Sequence, residues 1–272
     1  SLALLLERGR PQLQRLIDDH QNEVLERQDS ARQLIAELLI DCAALRQQVA
    51  SQPEQVQAAI AGMHEAVRQR EQRCVEALLQ LYRFRSDDAR TDDLPLLDGR
   101  WGDDLFNPET LRQLGLKLGS GVAAGAAAGA GIDLLVGGIS LGAATLIGAL
   151  AGGGVQTARN YGERLLGKLK GRRELSIDDS ILQLLAVRQL HLLQALERRG
   201  HAALQRLQLH TPQAQQWRNG TLPKPLHKAR AHPQWSTLNS GTQVSAADRQ
   251  AQVLELAGEL ADAMREARPE QT

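Results

Sequence analysis

Residues Leu118 to Val155 read LGSGVAAGAAAGAGIDLLVGGISLGAATLIGALAGGGV, and Asp133 is the only charged residue among them. Glycine recurs at four-residue intervals on both sides of Asp133, and residues four apart share one face of a helix. These glycines are Gly121, Gly125, Gly129, Gly138, Gly142, Gly148 and Gly152. Because each glycine costs a helix about 1 kcal/mol relative to alanine, close contact with a second backbone must compensate. The pattern predicts a glycine-zipper helical hairpin with Asp133 near its turn.

Two environments suit such a hairpin, and the charge pattern favours a membrane. The run Leu134–Val155 has 22 uncharged residues, enough to cross about 30 Å of hydrocarbon. The run Leu118–Ile132 has 15 and would reach only about 23 Å. Basic residues follow, and next to an apolar run they favour the cytoplasmic side of a membrane. This basic flank consists of Arg159, Arg164, Lys168, Lys170, Arg172 and Arg173. The alternative is a soluble helical scaffold or oligomerisation module with the glycine hairpin as buried core.

The composition excludes several classes of protein. Lysine plus arginine equals aspartate plus glutamate at 32 each, so no net charge attracts nucleic acid. Aromatic residues make up 3% of the 272 residues, and the abundance of Leu, Ala, Gln, Glu and Arg is typical of long helices. Cys42 and Cys74 have no metal-ligand spacing. In a hairpin that turns near Ser51, Cys42 would lie opposite residue 60 and about 20 Å from Cys74, so we expect no disulfide.

Residues 1–86 show heptad spacing on two predicted helices. In the first, one apolar row runs at every seventh residue from Ile17 to Leu45, and the helix is expected to end near Val49. Ser51–Glu54 then has the form of a capping box with proline inside, which predicts the start of the second helix. Such heptads indicate an antiparallel coiled-coil arm, whose first helix would be about 60 Å long. Packing of the same rows in the core of a helical bundle is the alternative that the periodicity leaves open.

The remaining segments complete the prediction of an all-α fold. Residues 87–107 are predicted to form an acidic linker, because their carboxylates lack the alternating spacing of a calcium loop. Residues 108–209 contain the glycine-rich hairpin, its basic flank and a Leu-rich helix that begins near Ser176. Residues 210–244 form a proline-containing loop, and residues 245–268 form a C-terminal helix. An apolar stripe on this last helix consists of Val253, Leu256, Leu260 and Met264.

The sequence contains no catalytic constellation. Residues 162–168, GERLLGK, have the spacing of a phosphate loop, but Leu169 replaces the Ser or Thr that binds magnesium. His64 and Glu65 resemble the start of a zinc-protease helix, but Arg68 occupies the position of the second His. No Ser, Cys or Thr lies in a nucleophile-elbow context. We therefore expect no catalytic, metal-binding or cofactor-binding residue in this chain, and no nucleic-acid partner.

Three segments carry a family resemblance: Asp104–Thr110 (DLFNPET), residues 129–153 with the basic segment that follows, and Leu226–Trp235 (LHKARAHPQW). In this order they resemble an uncharacterised bacterial domain that follows an Era/TrmE-like small GTPase domain in proteobacterial proteins. The resemblance covers most of the chain. The nucleotide-binding residues of that family lie in the GTPase domain, so none is carried over to this sequence.

The resemblance and the charge pattern together define the expected function. They imply a non-catalytic helical effector or regulatory domain of a GTP-binding protein, located in the cytoplasm and associated with the inner membrane. The expected partners are the upstream GTPase domain and inner-membrane lipid or a membrane protein. Self-association into a homo-oligomer is a further option that the sequence leaves open.

Overall fold

Five α-helices and three β-strands make up the part of the chain that the computed structural model describes, namely residues 2–84, 96, 99–107, 110, 132–135, 172–198, 221–239 and 246–266. The helices are α1 (Leu2–Ala44), α2 (Pro53–Leu81), α3 (Asp179–Arg198), α4 (Lys224–Ala231) and α5 (Ala246–Glu266). The strands are β1 (Arg46–Ala50), β2 (Ile132–Leu135) and β3 (Arg172–Ile177), and a 3-10 helix spans Pro233–Trp235. The prediction of a fold dominated by helices is confirmed, whereas the sheet was not predicted.

The second half of α1 lies at the centre of the fold. The helix packs against α2, α3, α4 and α5, and its buried side chains are concentrated between Ala31 and Ala44. Along the predicted heptad row, Ala31 and Leu38 are fully buried, whereas Ile17 is 42% exposed. The row therefore faces a bundle core over the second half of α1 and solvent over the first half.

Asp41 on α1 joins three parts of this core. Its Oδ2 lies 2.7 Å from Arg70 Nε on α2, and its Oδ1 lies 3.1 Å from Arg249 Nη2 on α5. The backbone N–H of Thr237 also donates to Oδ1, at 3.0 Å, and the Ser236 hydroxyl donates to the Asp41 carbonyl oxygen. The carboxylate is almost completely buried. The two arginines and the hydrogen-bond donors around it offset the cost of burying its charge.

The connection between α1 and α2 differs from its prediction. We expected α1 to continue to Val49, but it ends at Ala44, and residues 46–50 form β1. Pairing with β3 satisfies the backbone of this segment and outweighs the helical preference of its glutamines. The predicted capping box is also wrong, since α2 begins after Gln52 without a side-chain cap. Because of the inserted strand, Asp41 contacts Arg70, and the predicted position of Cys42 opposite residue 60 is wrong.

The three strands form an antiparallel sheet in the order β1-β3-β2. Arg46 lies opposite Ser176 at one end of the β1–β3 ladder, and Ile132 lies opposite Ile177 in the β2–β3 ladder. Asp133 is therefore part of a strand, and its prediction as the turn of a helical hairpin is wrong. The physical reason is visible in the sequence: residues 132–136, IDLLV, lack glycine and alanine and are bounded by Gly131 and Gly137, which favours a short strand.

The C-terminal half contains one further difference. Residues 210–244 were predicted to be a loop, but α4 and the 3-10 helix lie within them, each with a proline in its first turn, where proline is well tolerated. The buried faces of the other helices follow their predictions: α3 is buried on most of its circumference, and the apolar stripe of α5 faces the core. The domain boundaries predicted near residues 86, 108, 210 and 245 lie at or next to residues that are not described, and they stay predictions.

Candidate functional site

The sheet is the candidate site because it connects the glycine-rich stretch to the helical bundle. β2 lies in the middle of that stretch, and it pairs with β3, which in turn pairs with β1 directly after α1. Leu135 at the end of β2 lies opposite Glu174, two residues from the start of β3. The chain therefore leaves the sheet after Leu135 and returns to it at Arg172, at nearly the same place.

Arg46 on β1 connects the sheet to the helical bundle through hydrogen bonds and an ion pair. Its guanidinium donates to the carbonyl oxygens of Ala43 and Leu45 at the end of α1, at 3.1 and 2.8 Å. It also donates to the carbonyl oxygen of Arg230 on α4 at 3.1 Å and lies 3.5 Å from the Glu174 carboxylate on β3. The side chain is almost fully buried. One cation thus joins the end of α1, the sheet and α4.

Arg230 makes a second connection of the same kind. Its Nη2 donates to the carbonyl oxygen of Ile177 at 3.0 Å and to the carboxylate of Asp179. These residues are the last of β3 and the first of α3. At the same junction Asp178 accepts the backbone N–H of Ser180 at 2.8 Å, which caps the first turn of α3. The end of β3 is therefore held on two sides by buried polar contacts.

The predicted site residues are only partly within the described residues. Arg172 and Arg173, the last two residues of the predicted basic flank, lie on β3, opposite Ala50 and Val49. The Arg173 side chain is half-buried. The other predicted residues lie outside the described residues: Gly121, Gly125, Gly129, Gly138, Gly142, Gly148, Gly152, Arg159, Arg164, Lys168 and Lys170.

A second feature is a cleft of about 740 Å³ between α2, α3 and residues 99–105. On its wall Arg188 lies 3.6 Å from Glu71, donates to the Asp103 carbonyl oxygen at 2.8 Å and stacks over Trp101 at 5.3 Å. Burial raises the pKa of Glu71, and Arg188 partly offsets this rise. Four arginines and five carboxylates line the cleft, and Arg68 and Arg188 are paired with carboxylates. The cleft therefore favours neither sign of ligand, and we assign it no ligand.

The acidic linker is packed where the structure describes it. Arg68 donates to both carboxylate oxygens of Asp104, at 2.8 and 3.0 Å, and the neighbouring Leu105 and Phe106 are buried. His64, which lies in the segment that resembles the start of a zinc-protease helix, stacks on Phe106 with 3.7 Å between the ring centroids. Within the described ranges, no three His, Cys, Asp or Glu side chains are grouped closely enough to hold a metal ion.

The helices of the described part also bear on the membrane question. None of them combines the length and the apolar character that crossing a bilayer requires. The glycine-rich residues on either side of β2 lie outside the described residues.

Sequence reasoning missed the residues that hold this site together. Asp41 and Arg46 lie in no motif, and Arg230 lies in the LHKARAHPQW segment, which indicated no role for it. The arginine partners of Asp41 lie 29 and 208 residues away in the chain. Two weak signals were present: the IDLLV run between glycines, and the position of Asp178 before the Leu-rich helix.

Comparison with known proteins gives one match. No curated protein and no solved structure matches the chain. A family model described as "Domain of unknown function (DUF3482)" matches residues 1–258. This range includes the sheet, the buried arginines and the whole glycine-rich stretch. The chain therefore belongs to the DUF3482 family of domains of unknown function.

Proposed function

We propose that this chain is a non-catalytic helical effector domain of a GTP-binding protein, and that its glycine-rich stretch associates with the cytoplasmic face of the inner membrane. The observation that carries the proposal is the pairing of β2 with β3, which connects the middle of a glycine-rich stretch with a single charged residue to a helical bundle. The link to a GTPase rests on the resemblance of the sequence segments. The link to a membrane rests on the charge pattern around the stretch.

The sheet limits how the stretch engages lipid. The chain leaves β2 after Leu135 and returns at Arg172, and both points lie on neighbouring strands. Residues 136–155 are uncharged, whereas residues 156–171 carry five charged side chains. If the uncharged run crossed the bilayer, the charged run would have to cross back, at a cost of roughly 2.5–3.5 kcal/mol for each charge at the bilayer centre. We infer that the stretch enters the near leaflet only and lies in the interface.

The position of Asp133 agrees with attachment from one side. At the tip of a spanning hairpin, Asp133 would have to reach the far interface, and stalling midway would cost a few kcal/mol. Opposite Ser176 in the sheet, its backbone stays with the bundle. Arg172 and Arg173 lie on the adjacent strand, where the chain returns. Each basic residue near an anionic surface contributes about 1 kcal/mol of attraction.

Vesicle flotation tests the proposal. We expect the wild-type chain to float with vesicles that contain anionic lipid and to float less with purely zwitterionic vesicles. Replacing Arg159, Arg164, Lys168 and Lys170 by glutamine should abolish flotation with anionic vesicles. The matched control replaces four exposed basic residues elsewhere, Arg73, Lys224, Lys228 and Arg265, by glutamine and should float like the wild type.

The depth of insertion needs its own measurement. An environment-sensitive dye on Gly148→Cys should be quenched by lipids brominated near the headgroup more than by lipids brominated near the chain ends. The native thiols do not compete for the dye, because both are buried. If the wild type floats with neither kind of vesicle, the membrane association is wrong, and a soluble scaffold with the glycine-rich stretch as buried core becomes the better function.

The non-catalytic part of the proposal is tested separately. Because Leu169 follows the lysine of the GERLLGK segment, we expect no GTP hydrolysis by this chain alone. Magnesium-dependent turnover that survives repurification and disappears in Lys168→Ala would contradict this expectation.

A further inference from the structure

The first half of α1 extends from the bundle without a packing partner among the described residues. From Gln12 to Glu23 every side chain is exposed, whichever side of the helix it occupies. Nearer the bundle, the guanidinium of Arg27 lies 5.7 Å from the Tyr82 ring at the end of α2. A helix that stands alone in water is marginally stable, because it forms backbone bonds without burying an apolar face. A partner that covers one face of the extension would supply that burial.

Its exposed surface carries an apolar patch. Leu13, Leu16 and Ile17 have the spacing that places side chains on one helix face, and they are 59%, 66% and 42% exposed. His20 continues the same face one turn later, and Val24 follows it toward the bundle. Exposed apolar patches with polar surroundings mark interaction sites. We call Leu13, Leu16, Ile17 and His20 the α1 patch.

The charges along the extension indicate what covers the patch. From residue 7 to residue 15 the sequence is basic, with arginines at positions 8, 10 and 15 and one carboxylate at position 7. Beyond Ile17 it is acidic, with carboxylates at positions 18, 19, 23 and 26. A second copy in antiparallel orientation brings the basic part of each helix beside the acidic part of the other. A parallel copy would set like charges side by side, at separations within the roughly 10 Å over which they still interact.

We propose that two copies of this chain associate through an antiparallel coiled coil of their α1 extensions, centred on the α1 patch. In this arrangement Leu13 lies near the partner's His20, and Leu16 lies near the partner's Ile17. The helix from Leu2 to Ser30 is about 43 Å long, which provides four heptads for pairing. The two bundles then lie at opposite ends of the coiled coil. The dimer rests on the α1 extension alone and is independent of the membrane association proposed above.

Sedimentation equilibrium of the full chain tests the association. We expect a concentration-dependent dimer that Leu16→Lys weakens roughly a hundredfold, since a buried leucine is lost from each of two chains. The matched control is Leu254→Lys, which changes another exposed leucine, on α5, and should leave the dimer intact. Because residue 16 is exposed in the monomer, both variants should keep the circular dichroism spectrum of the bundle. A wild type that stays monomeric at every concentration, or equal behaviour of the two variants, overturns the proposal.

Two measurements test the orientation. Oxidation of a mixture of Leu13→Cys and His20→Cys should give a disulfide between the two variants, whereas Leu13→Cys alone should not cross-link to itself. Added salt should weaken the dimer, because the attraction between oppositely charged halves is screened. Cross-linking of Leu13→Cys to itself, or a dimer that salt strengthens, would indicate a parallel pair and overturn the antiparallel arrangement.

Discussion

Asp133 and Ser176 lie directly opposite each other in the antiparallel β2–β3 ladder. The pair connects the centre of the glycine-rich stretch, at its one charged residue, to the middle strand of the sheet. The same strand pairs with β1, which follows α1 after a single residue, and its end is held by Arg230. Through this strand the paired part of the glycine-rich stretch is connected to α1 and α4, as the proposed coupling of that stretch to the helical bundle requires.

A disulfide between these two positions tests the strand pairing. Directly opposite residues in an antiparallel pair have Cβ atoms about 4.5–5.5 Å apart, close to the separation in a disulfide. We expect Asp133→Cys combined with Ser176→Cys to form an intramolecular bond, seen as a mass lower by two hydrogens that reduction restores. Asp133→Cys combined with Leu175→Cys is the control, because neighbouring residues of a strand face opposite sides of the sheet. If the control pair bonds as readily, the register is wrong.

The helices could be predicted because their patterns are long. The stripe from Val253 to Met264 and the leucines of α3 recur over several turns, and these residues are buried. The strands could not be predicted, because each has only four to six residues. Whether so short a segment forms a strand depends on its pairing with a distant segment. RQQVA in β1 reads as a continuation of α1, and only pairing with residues 172–176 makes it a strand.

The candidate site was predictable to a smaller degree. The glycine-rich stretch and its basic flank can be recognised in the sequence because each is a pattern formed by neighbouring residues. Arg46 and Arg230 do not stand out, because an isolated arginine is most often solvated and no neighbouring residue indicates that these two are buried. Arg46 also bonds to Arg230, and Arg230 bonds to Ile177, in each case across more than 50 residues of sequence, so the anchoring of the sheet emerges only from the folded chain.

Asp41→Asn should destabilise the bundle strongly. The substitution keeps the shape and the acceptor for the Thr237 N–H, but it leaves Arg70 and Arg249 without a counter-charge. Removing one partner from a buried ion pair typically costs about 3–5 kcal/mol. We expect a loss of this size in the free energy of unfolding, measured by urea denaturation and circular dichroism.

Asp29→Asn is the matched control on the same helix. Asp29 pairs with Arg32, but its side chain is 67% exposed, so water replaces the interaction. We expect a loss below about 1 kcal/mol. Equal losses for the two variants would show that Asp41 does not hold α2 and α5 to α1.

Cys42 and Cys74 should be unreactive in the folded chain and reactive in the unfolded one. Both are free and buried, and the Cys74 thiol lies 3.6 Å from the Leu34 carbonyl oxygen. Burial raises the pKa of Cys74 to about 12 and also raises the pKa of Cys42, with Asp41 adding to the rise. Since the thiolate is the reactive form, we expect negligible labelling by a thiol reagent at neutral pH and labelling of both cysteines in urea. Fast labelling without denaturant would contradict the burial of this part of the core.

Glu71→Gln should change how stability depends on pH. Burial raises the pKa of Glu71 in the folded state above its ordinary value of 4.5. At pH values between 4.5 and the raised pKa of the folded state, the folded chain binds more protons than the unfolded chain. The contribution of Glu71 to stability therefore falls as pH rises. We expect the free energy of unfolding of the wild type, relative to Glu71→Gln, to decrease when urea denaturation is repeated upward from about pH 4.5. A difference that increases with pH over this range would show that Arg188 outweighs burial.

Asp104 in the same cleft should show the opposite sign. Its hydrogen bond with Arg68 holds the pKa of Asp104 below its ordinary value of 3.8. The unfolded chain then binds more protons, so the contribution of Asp104 is fully present above pH 3.8 and is lost as pH falls through the lower, folded pKa. Because the side chain is 46% exposed, we expect Asp104→Asn to cost less than about 1 kcal/mol at neutral pH. Extending the urea series to below pH 3.8 checks this: the difference between wild type and Asp104→Asn should shrink there, whereas the wild type should gain stability relative to Glu71→Gln as the pH falls toward 4.5. If both stability differences changed with pH in the same direction, the pKa values of the two carboxylates would be shifted in the same direction. That result would contradict either the contact between Arg68 and Asp104 or the burial of Glu71.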